Sequence, residues 1–180
     1  GFGGKYTGID IDDRCAAGEG RFSCRFLQGD AHSVIPDERY DLIVSISALE
    51  HIPDDGRVID RLCKAMTKTG LHLHFVPAPA GLAVYLWHGY RQYSTGEIGE
   101  RFGRDGVTVY KLGGLASFLL HLTVITLPEI LFSVSPRKRW PNWYRNLLGW
   151  CLRVDAFLPI LPVCHVICQE GMIASGKSHV

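Results

Sequence analysis

One stretch of the sequence, residues 40–53, constrains the fold more than any other. It reads Tyr-Asp-Leu-Ile-Val-Ser-Ile-Ser-Ala-Leu-Glu-His-Ile-Pro. The short apolar run at 41–46 is typical of a strand that is covered on both faces in a parallel sheet. The polar residues Ser47, Glu50 and His51 follow it directly, at the sheet edge where open α/β proteins bind ligands. The stretch therefore predicts an α/β fold with a ligand site at the carboxyl end of this strand.

The residues after this loop predict a helix and then a second strand. Asp54 is a good helix N-cap, the apolar residues within 58–66 recur with helical spacing, and Gly70 is suited to end the helix. Residues 71–76 form another apolar run, which Pro77 stops. Strand, loop, helix and strand in this order predict a βαβ crossover with parallel strands.

Two shorter strands are predicted before this unit, and each ends in an aspartate. Residues 6–10 end at Asp10, and residues 24–30 end at Asp30. A single strand-end aspartate is more often a turn residue or a helix cap than a ligand-binding group. Polar groups at three successive strand ends are a stronger signal, because a carboxylate can accept hydrogen bonds from two adjacent ribose hydroxyls. We therefore expect Asp10, Asp30 and Ser47 to converge on one crevice.

Composition narrows the class of protein. Because the chain has 180 residues, one domain is expected. Because its formal net charge is only +1, nucleic acid is not expected as the main partner. Six cysteines with no Cys-x-x-Cys pair indicate reduced thiols in a cytoplasmic protein. His72 and His74 share one face of their predicted strand. We interpret them as buried histidines; the alternative, a metal pair, lacks a third ligand in the sequence.

Four motifs in a fixed order resemble a known family. They are Tyr-x-Gly-Ile-Asp at 6–10, Gln-Gly-Asp-Ala at 28–31, the segment 40–52, and Gly-Leu-x-Leu-x-x-x-Pro at 70–77. Together they resemble the class I S-adenosylmethionine-dependent methyltransferases, in particular the branch called methyltransferase type 11, over about residues 6–112. The resemblance implies a Rossmann-like, doubly wound, mostly parallel sheet with an antiparallel last strand. It also implies methyl transfer from S-adenosylmethionine to a small-molecule or lipid-like acceptor.

The resemblance further implies roles for residues at the three strand ends. Asp10 would hold the ribose of the methyl donor, and Ile11 would pack on its adenine. Asp30 and Ala31 would read the edge of the adenine. The methionine side of the donor and the entrance for the acceptor would be lined by Ser45, Ile46 and Ser47.

Candidate residues for the acceptor side are weaker. His51 is a candidate general base, because histidine often has that role, although a structural role at the start of the helix is the favoured interpretation. Residues 85–94 resemble the family's loop that closes over the acceptor, which makes His88, Arg91 and Tyr93 candidate substrate contacts. Arg91 would clamp an acidic acceptor; the alternative is that it packs and donates hydrogen bonds to backbone carbonyls.

One departure from the family pattern has a consequence for binding. The family's first strand and its glycine-rich loop should stand directly before the Asp10 strand, but only five residues precede Tyr6. That loop accommodates the methionine portion of the donor, and that strand is the central one of the sheet. We therefore expect an N-terminally truncated sheet, and weak or no donor binding by this chain.

The rest of the chain predicts a helical insertion and a last strand. Ser94 and Glu97 form a capping box for a short helix that ends near Gly103, and residues 107–112 are predicted to be a strand. Residues 113–160 combine an apolar stretch with a basic, aromatic one. A buried helical hairpin is the favoured interpretation, a helix on a membrane surface through 115–145 is the second, and nucleic-acid binding is the third. A single domain is predicted, with a core at 6–112, an insertion at 113–160 that includes a helix at 147–158, and a disordered tail at 171–180. The last strand, at 161–170, is predicted to lie between the 71–76 strand and the 107–112 strand.

Two other functions remain open from the residues alone. One is a non-catalytic, truncated domain that binds a partner or a membrane. The other is a nicotinamide-dependent oxidoreductase, since an acid after the second strand of such a sheet also suits NAD. The Ala-Leu-Glu-His segment at 48–51 argues against the oxidoreductase.

Overall fold

The computed structural model of the chain describes residues 4–12, 23–82, 89–103, 106–158 and 160–171. Its strands are β1 (Lys5–Asp10), β2 (Ser23–Gln28), β3 (Tyr40–Ile46), β4 (Met66–Pro77), β5 (Val107–Leu112) and β6 (Cys164–Glu170). Its helices are α1 (Ala31–Val34), α2 (Asp55–Ala65), α3 (Thr95–Phe102), α4 (Leu115–Leu120), α5 (Leu127–Phe132), α6 (Pro136–Arg139) and α7 (Pro141–Phe157). A 3₁₀ turn, Leu49–His51, follows β3, and a π-helical segment, His121–Thr126, joins α4 to α5.

The strands form two hydrogen-bonded sheets. β1 pairs with β2 in parallel, and the second sheet has the order β3-β4-β6-β5. β3 and β4 are parallel, whereas β6 is antiparallel to both of its neighbours. This confirms the predicted position of the last strand, between the 71–76 strand and the 107–112 strand. Among the described residues, no strand pairs with the second edge of β1 or of β3.

Only one face of the four-stranded sheet carries the core. Side chains of β3, β4 and β6 pack there against α2 and α3, which contribute Val58, Ile59, Ile98 and Phe102. The opposite face of β3 is open, with Leu42, Val44 and Ile46 exposed. The sequence predicted a strand that is covered on both faces, and this is wrong for β3. The apolar run shows that both faces can be buried, but it cannot show whether a covering element is present.

The junction between α2 and β4 differs from the prediction. The helix ends at Ala65 and not at Gly70, and β4 begins at Met66. Two β-branched residues, Thr67 and Thr69, favour extended backbone here. A bulge absorbs the added length, because Tyr40 lies opposite Met66 while Leu42 lies opposite Leu71.

Two predicted caps had different outcomes. The Ser94–Glu97 capping box at the start of α3 is confirmed, with the Glu97 backbone N–H donating to Ser94 Oγ (3.2 Å) and the Ser94 N–H to Glu97 Oε2 (2.8 Å). Asp54 precedes α2 as predicted, but its side chain does not cap the helix. Its carboxylate instead lies 3.8 Å from Arg57 Nε on the exposed surface.

Residues 113–160 form helices, as predicted, but they are not a buried hairpin. α4, the π-helical segment and α5 make one continuous helical run, Leu115–Phe132, of which 22% is buried. The run is long and apolar enough to cross a bilayer by length and composition. α7 returns along α4, and the buried Asp155 accepts hydrogen bonds from the N–H groups of Ala116 (2.8 Å) and Ser117 (3.0 Å). This carboxylate satisfies the orphan donors at the start of α4 and fixes the two helices together.

The cysteines in the described ranges are free thiols, as expected: Cys24, Cys63, Cys151, Cys164 and Cys168. Burial, followed by the charge of Glu50, raises the pKa of Cys164 to about 11. Such a thiol is protonated at neutral pH and is a packing group, not a nucleophile. The predicted tail lies outside the described residues beyond 171.

Candidate functional site

The ends of β1 and β2 lie side by side. The N–H of Gly29 donates a 2.9 Å hydrogen bond to the carbonyl oxygen of Asp10. Gly29 has φ +149°, and a Cβ there would meet a Val34 methyl at 2.6 Å, so glycine is needed for this close turn. Asp10 is exposed and uses Oδ1 to accept from the N–H of Asp12 (3.0 Å), which leaves Oδ2 directed to solvent. The parallel pairing therefore brings the two predicted strand-end aspartates together.

Asp30 is both a strand-end residue and the N-cap of α1. Its Oδ1 accepts from the His32 N–H at 2.8 Å and lies 2.7 Å from His32 Nδ1. The backbone hydrogen bond from His32, followed by the side-chain one, holds the pKa of Asp30 below its ordinary value. The same pairing raises the pKa of His32. Asp30 is thus an ionised, exposed carboxylate, and the neighbouring Ala31 N–H is in the first turn, where helical donors lack intrahelical partners.

A contact between α1 and the loop after β3 places the third strand end on the same side of the molecule. His32 Nε2 lies 2.9 Å from the carbonyl oxygen of Asp54, and Arg61 Nη2 donates to the carbonyl of Ile35 at 2.8 Å. Ser47 is exposed at the end of β3, has φ +47°, and donates its N–H to Phe75 O at 3.0 Å. The structure thus brings Asp10 and Asp30 together, with Ser47 at the carboxyl end of the neighbouring sheet.

The other strand-end candidates divide by exposure. Ile11 and Ile46 are 72% and 69% exposed, so both present apolar surface to a ligand. Ser45 is half-buried, and its hydroxyl lies 2.7 Å from His74 Nδ1. Ser45 is therefore engaged inside the sheet, which leaves Ser47 as the freer hydroxyl of the two.

The 3₁₀ turn after β3 separates its two ionisable residues. His51 is exposed, whereas Glu50 is 1% exposed, and neither of its carboxylate oxygens has a hydrogen-bond partner among the described residues. Gly89, with φ +77°, packs so close that a Cβ would meet Glu50 O at 2.8 Å, and Tyr90 N–H donates to the same carbonyl. A buried polar group without a partner is costly and is often functional. Sequence reasoning named Glu50 but ranked His51 above it; only burial distinguishes the two.

Arg91 and Tyr93, the two predicted substrate contacts that the structure describes, both contact the buried Asp55. Asp55 is fully buried and forms ion pairs with both Arg91 and Arg101. Tyr93 is also fully buried and donates from its hydroxyl to Asp55 Oδ2 at 2.6 Å. Burial, followed by the hydrogen bond to Asp55, raises the pKa of Tyr93 above its ordinary value.

The Asp55 cluster therefore anchors segment 89–94 to the start of α2. Arg91 also donates to the carbonyl of Pro53, which is the backbone alternative that the sequence left open. Sequence reasoning missed Asp55, since an aspartate in the first turn of a helix is ordinary. The third candidate of this segment, His88, lies outside the described residues.

The histidine pair on β4 is buried and neutral. His72 and His74 are both 0% exposed, with His74 Nε2 3.3 Å from His72 Nδ1. Burial lowers the pKa of His72 to about 4 and that of His74 to about 3. In the part of the chain that the structure describes, no group of three metal-binding side chains occurs. The interpretation as buried histidines is the one the geometry supports.

Comparison with known proteins finds a family model that matches part of the chain, and solved structures that share its fold over most of its length. A family model described as a methyltransferase domain matches residues 1–74. No curated protein matches the sequence significantly. The structural comparisons below are all under 25% identical to this chain.

Three solved structures illustrate the shared fold. An S-adenosylmethionine-dependent methyltransferase from Mesorhizobium loti has 12% identity and a TM-score of 0.55, over 92% of this chain and 80% of that one. A second, from Archaeoglobus fulgidus, has 17% identity and a TM-score of 0.53, over 91% and 75%. Haemonchus contortus phosphoethanolamine N-methyltransferase 2, in complex with S-adenosyl-L-methionine, has 13% identity and a TM-score of 0.50, over 85% and 38%.

The chain thus spans much less than two thirds of the Haemonchus protein, although it covers most of the other two. This chain has the antiparallel last strand that the resemblance predicted. The family model thus matches residues 1–74, and solved S-adenosylmethionine-dependent methyltransferases, one of them in complex with S-adenosyl-L-methionine, share the fold of this chain over most of its length.

Proposed function

We propose that the chain takes part in methyl transfer from S-adenosylmethionine to a small-molecule or lipid-like acceptor. The observation that carries the proposal is the pair of exposed strand-end aspartates, which the Gly29–Asp10 hydrogen bond holds side by side. Ligands of open α/β sheets bind outside the carboxyl ends of the strands, and this is where the pair lies. The match to a methyltransferase domain over residues 1–74 favours this donor over other adenosyl ligands.

The described residues suit the adenosyl part of the donor. Asp10 Oδ2 is an acceptor without a partner in the described structure and suits a ribose hydroxyl. Asp30 is ionised and suits the exocyclic amino group of adenine, while the Ala31 N–H suits a ring nitrogen. Exposed Ile11 and Ile46 supply apolar surface for the base and for the entrance.

When bound, the donor supplies an already activated methyl group, so the protein mainly aligns the reactants and excludes water. A general base is required only if the acceptor is a hydroxyl or a carbon acid. His51 is the exposed candidate, and Glu50 is the buried one. Ser47 precedes both in the chain and follows β3 directly.

The open strand edges support weak donor binding by this chain of 180 residues alone. β1 and β3 each pair on one side only among the described strands, so no described strand joins the adenosyl side of the site to the Ser47 side. We expect a dissociation constant of about 100 μM or weaker, which corresponds to roughly 5 kcal/mol of binding free energy.

A thermal-shift titration with S-adenosylhomocysteine and NAD tests the proposal at millimolar ligand. We expect S-adenosylhomocysteine to raise the melting temperature and NAD to have less effect, because only ligands that bind the native state stabilise it. Asp10→Asn should abolish most of the shift, whereas Asp37→Asn, which changes an exposed carboxylate away from the strand ends, should not. A larger shift with NAD, or equal shifts in the two variants, would contradict the proposed site.

A non-catalytic binding module is the second candidate function. It is favoured by the separation of the two sheets and by the exposure of the helices in residues 113–160. Calorimetry distinguishes it: the module predicts no heat of donor binding at any accessible concentration, while strong one-to-one binding would refute both the module and our expectation of weak affinity.

A further inference from the structure

The helices of the insertion carry many exposed apolar side chains. At the end of α5, Ile130, Leu131 and Phe132 are all more than half exposed. On α7, Trp143, Trp150 and Phe157 recur at intervals of seven residues, which places them along one side of the helix. Phe157 is 86% exposed. We call residues 127–158 the helical arm.

The charge of the helical arm is one-sided. Between 130 and 154 the sequence has five basic residues and no acidic one, whereas outside this segment acidic residues outnumber basic ones by 18 to 14. The basic residues are Arg137, Lys138, Arg139, Arg145 and Arg153. The nearby acids are occupied, since Asp155 is buried at the start of α4 and Glu129 accepts from Ser135 Oγ (2.8 Å) and lies 3.5 Å from Arg137. An almost neutral chain therefore carries a strongly positive arm.

An apolar cleft lies beside these bases. Its volume is about 490 Å³, and it lies between the π-helical segment and α6–α7. It is lined by Thr123, Val124, Pro136, Trp140 and Trp143. The guanidinium of Arg139 lies 5.3 Å from the centroid of the Trp140 ring, a cation–π contact at the rim of the cleft. Positive charge, exposed tryptophan and an apolar concavity are thus combined on one surface.

This combination is typical of an interfacial surface and not of a membrane span. Tryptophan and basic side chains are enriched where a protein meets lipid headgroups. The apolar run Leu115–Phe132 contains His121, Pro128 and Glu129, and its first turn is held against α7 by Asp155. A helix tied to the protein in this way lies along the domain. Arg137, Lys138 and Arg139 follow the far end of the run, where they would meet a charged surface.

We propose that the helical arm docks on the surface of a bilayer that contains anionic lipids. Arg137, Lys138 and Arg139 contact the lipid phosphates. Trp140, Trp143 and Phe157 enter the boundary between headgroups and acyl chains. The proposal goes beyond methyl transfer and holds whether or not the chain binds the donor.

Vesicle flotation of the whole chain tests the proposal. We expect at least about tenfold more protein to float with phosphatidylcholine vesicles that contain phosphatidylglycerol than with phosphatidylcholine alone, and the difference to disappear near 1 M salt, where the Debye length is about 3 Å. Arg137→Gln/Lys138→Gln/Arg139→Gln should reduce flotation by about tenfold or more. The matched control, Arg57→Gln/Lys64→Gln/Lys68→Gln, neutralises three exposed bases on α2 and β4 and should float as the wild type does.

Tryptophan fluorescence supplies a second readout. Binding should shift the emission of the wild type to the blue, and Trp140→Phe with Trp143→Phe should remove most of the shift while circular dichroism is unchanged. Equal flotation with neutral and anionic vesicles, or extraction only by detergent, would overturn the proposal in favour of insertion. A dimer in light scattering that the triple arm variant dissociates would overturn it in favour of self-association, and no flotation at low salt would also overturn it.

Discussion

Two polar regions of this chain use the same side-chain types in opposite ways. At the start of α2, Asp55 is fully buried and each of its oxygens is engaged, by Arg91, Arg101 and the Tyr93 hydroxyl. At the ends of β1 and β2, Asp10 and Asp30 are exposed and keep acceptor capacity. A carboxylate whose oxygens are all satisfied inside the protein stabilises the fold, while one at a strand end can bind a ligand. Burial and partners, and not residue type, separate structure from function here.

Asp55→Ala should show the largest effect of this contrast. It leaves two partly buried guanidinium groups and a buried hydroxyl without their acceptor, so the free energy of unfolding should fall by about 3–5 kcal/mol. Urea denaturation measures the loss. Asp37→Ala, at an exposed position, should change stability by no more than about 0.5 kcal/mol. Equal losses at the two positions would remove the distinction between the regions.

Lowering the pH should reveal the destabilising effect of the two buried histidines on β4. The folded pKa values of His72 and His74 are about 4 and about 3, whereas the unfolded chain takes up protons near 6.5. The unfolded state therefore binds more protons below pH 6.5, and stability falls as the pH is lowered, by about 2 kcal/mol per histidine at pH 5. Denaturation series at pH 7 and pH 5, with His72→Gln/His74→Gln as control, measure this. If the stability of the control variant falls equally between pH 7 and pH 5, groups other than these two histidines cause the acid sensitivity.

Tyr93→Phe tests whether segment 89–94 is anchored to the start of α2 through Asp55. Loss of the hydroxyl that donates to a charged, buried carboxylate should lower stability by about 1.5–3 kcal/mol. Guanidinium denaturation measures it, with Tyr90→Phe, an exposed tyrosine of the same segment, as the matched control. If Tyr93→Phe left stability unchanged but reduced acceptor turnover, the result would contradict anchoring and favour the predicted role of Tyr93 as a substrate contact.

Glu50→Gln should have the smallest effect on stability, and in the opposite direction. A buried carboxylate without partners in the described structure is destabilising, so replacing it with a neutral group of the same shape should raise the free energy of unfolding by about 1 kcal/mol. Thermal melts measure the gain. Methyl transfer should fall in the same variant if Glu50 serves the acceptor. A destabilised variant would place Glu50 with Asp55 as a structural carboxylate.

Much of the fold could be predicted because it depends on local patterns. The β3 and β5 strands, the Ser94–Glu97 capping box and the antiparallel last strand follow from apolar runs, turn residues and motif order, and the structure confirms them. The end of α2 was placed five residues too late, since helical and extended preferences overlap between Met66 and Gly70. Pairing with Tyr40 and Leu42 decides in favour of the strand there. The division of the chain into core, insertion and tail stays a prediction.

The site was predicted only in part. The strand-end positions of Asp10, Asp30 and Ser47 followed from the sequence, and Asp10 and Asp30 are adjacent in the structure. The contacts of Arg91 and Tyr93 with Asp55 were not predicted, because Asp55 is more than thirty positions away in the chain. The roles of the site residues in donor and acceptor binding stay predictions.

By itself, the sequence determined which segments become strands, where their polar ends fall, and the superfamily that this order indicates. These properties come from side-chain spacing within a few residues, and such spacing is fixed before the chain folds. Tertiary structure alone decided which carboxylate is satisfied, which face of β3 is covered, and that the helices after residue 113 are mostly exposed. Each of these depends on the burial that distant parts of the chain provide, and no local pattern records that burial.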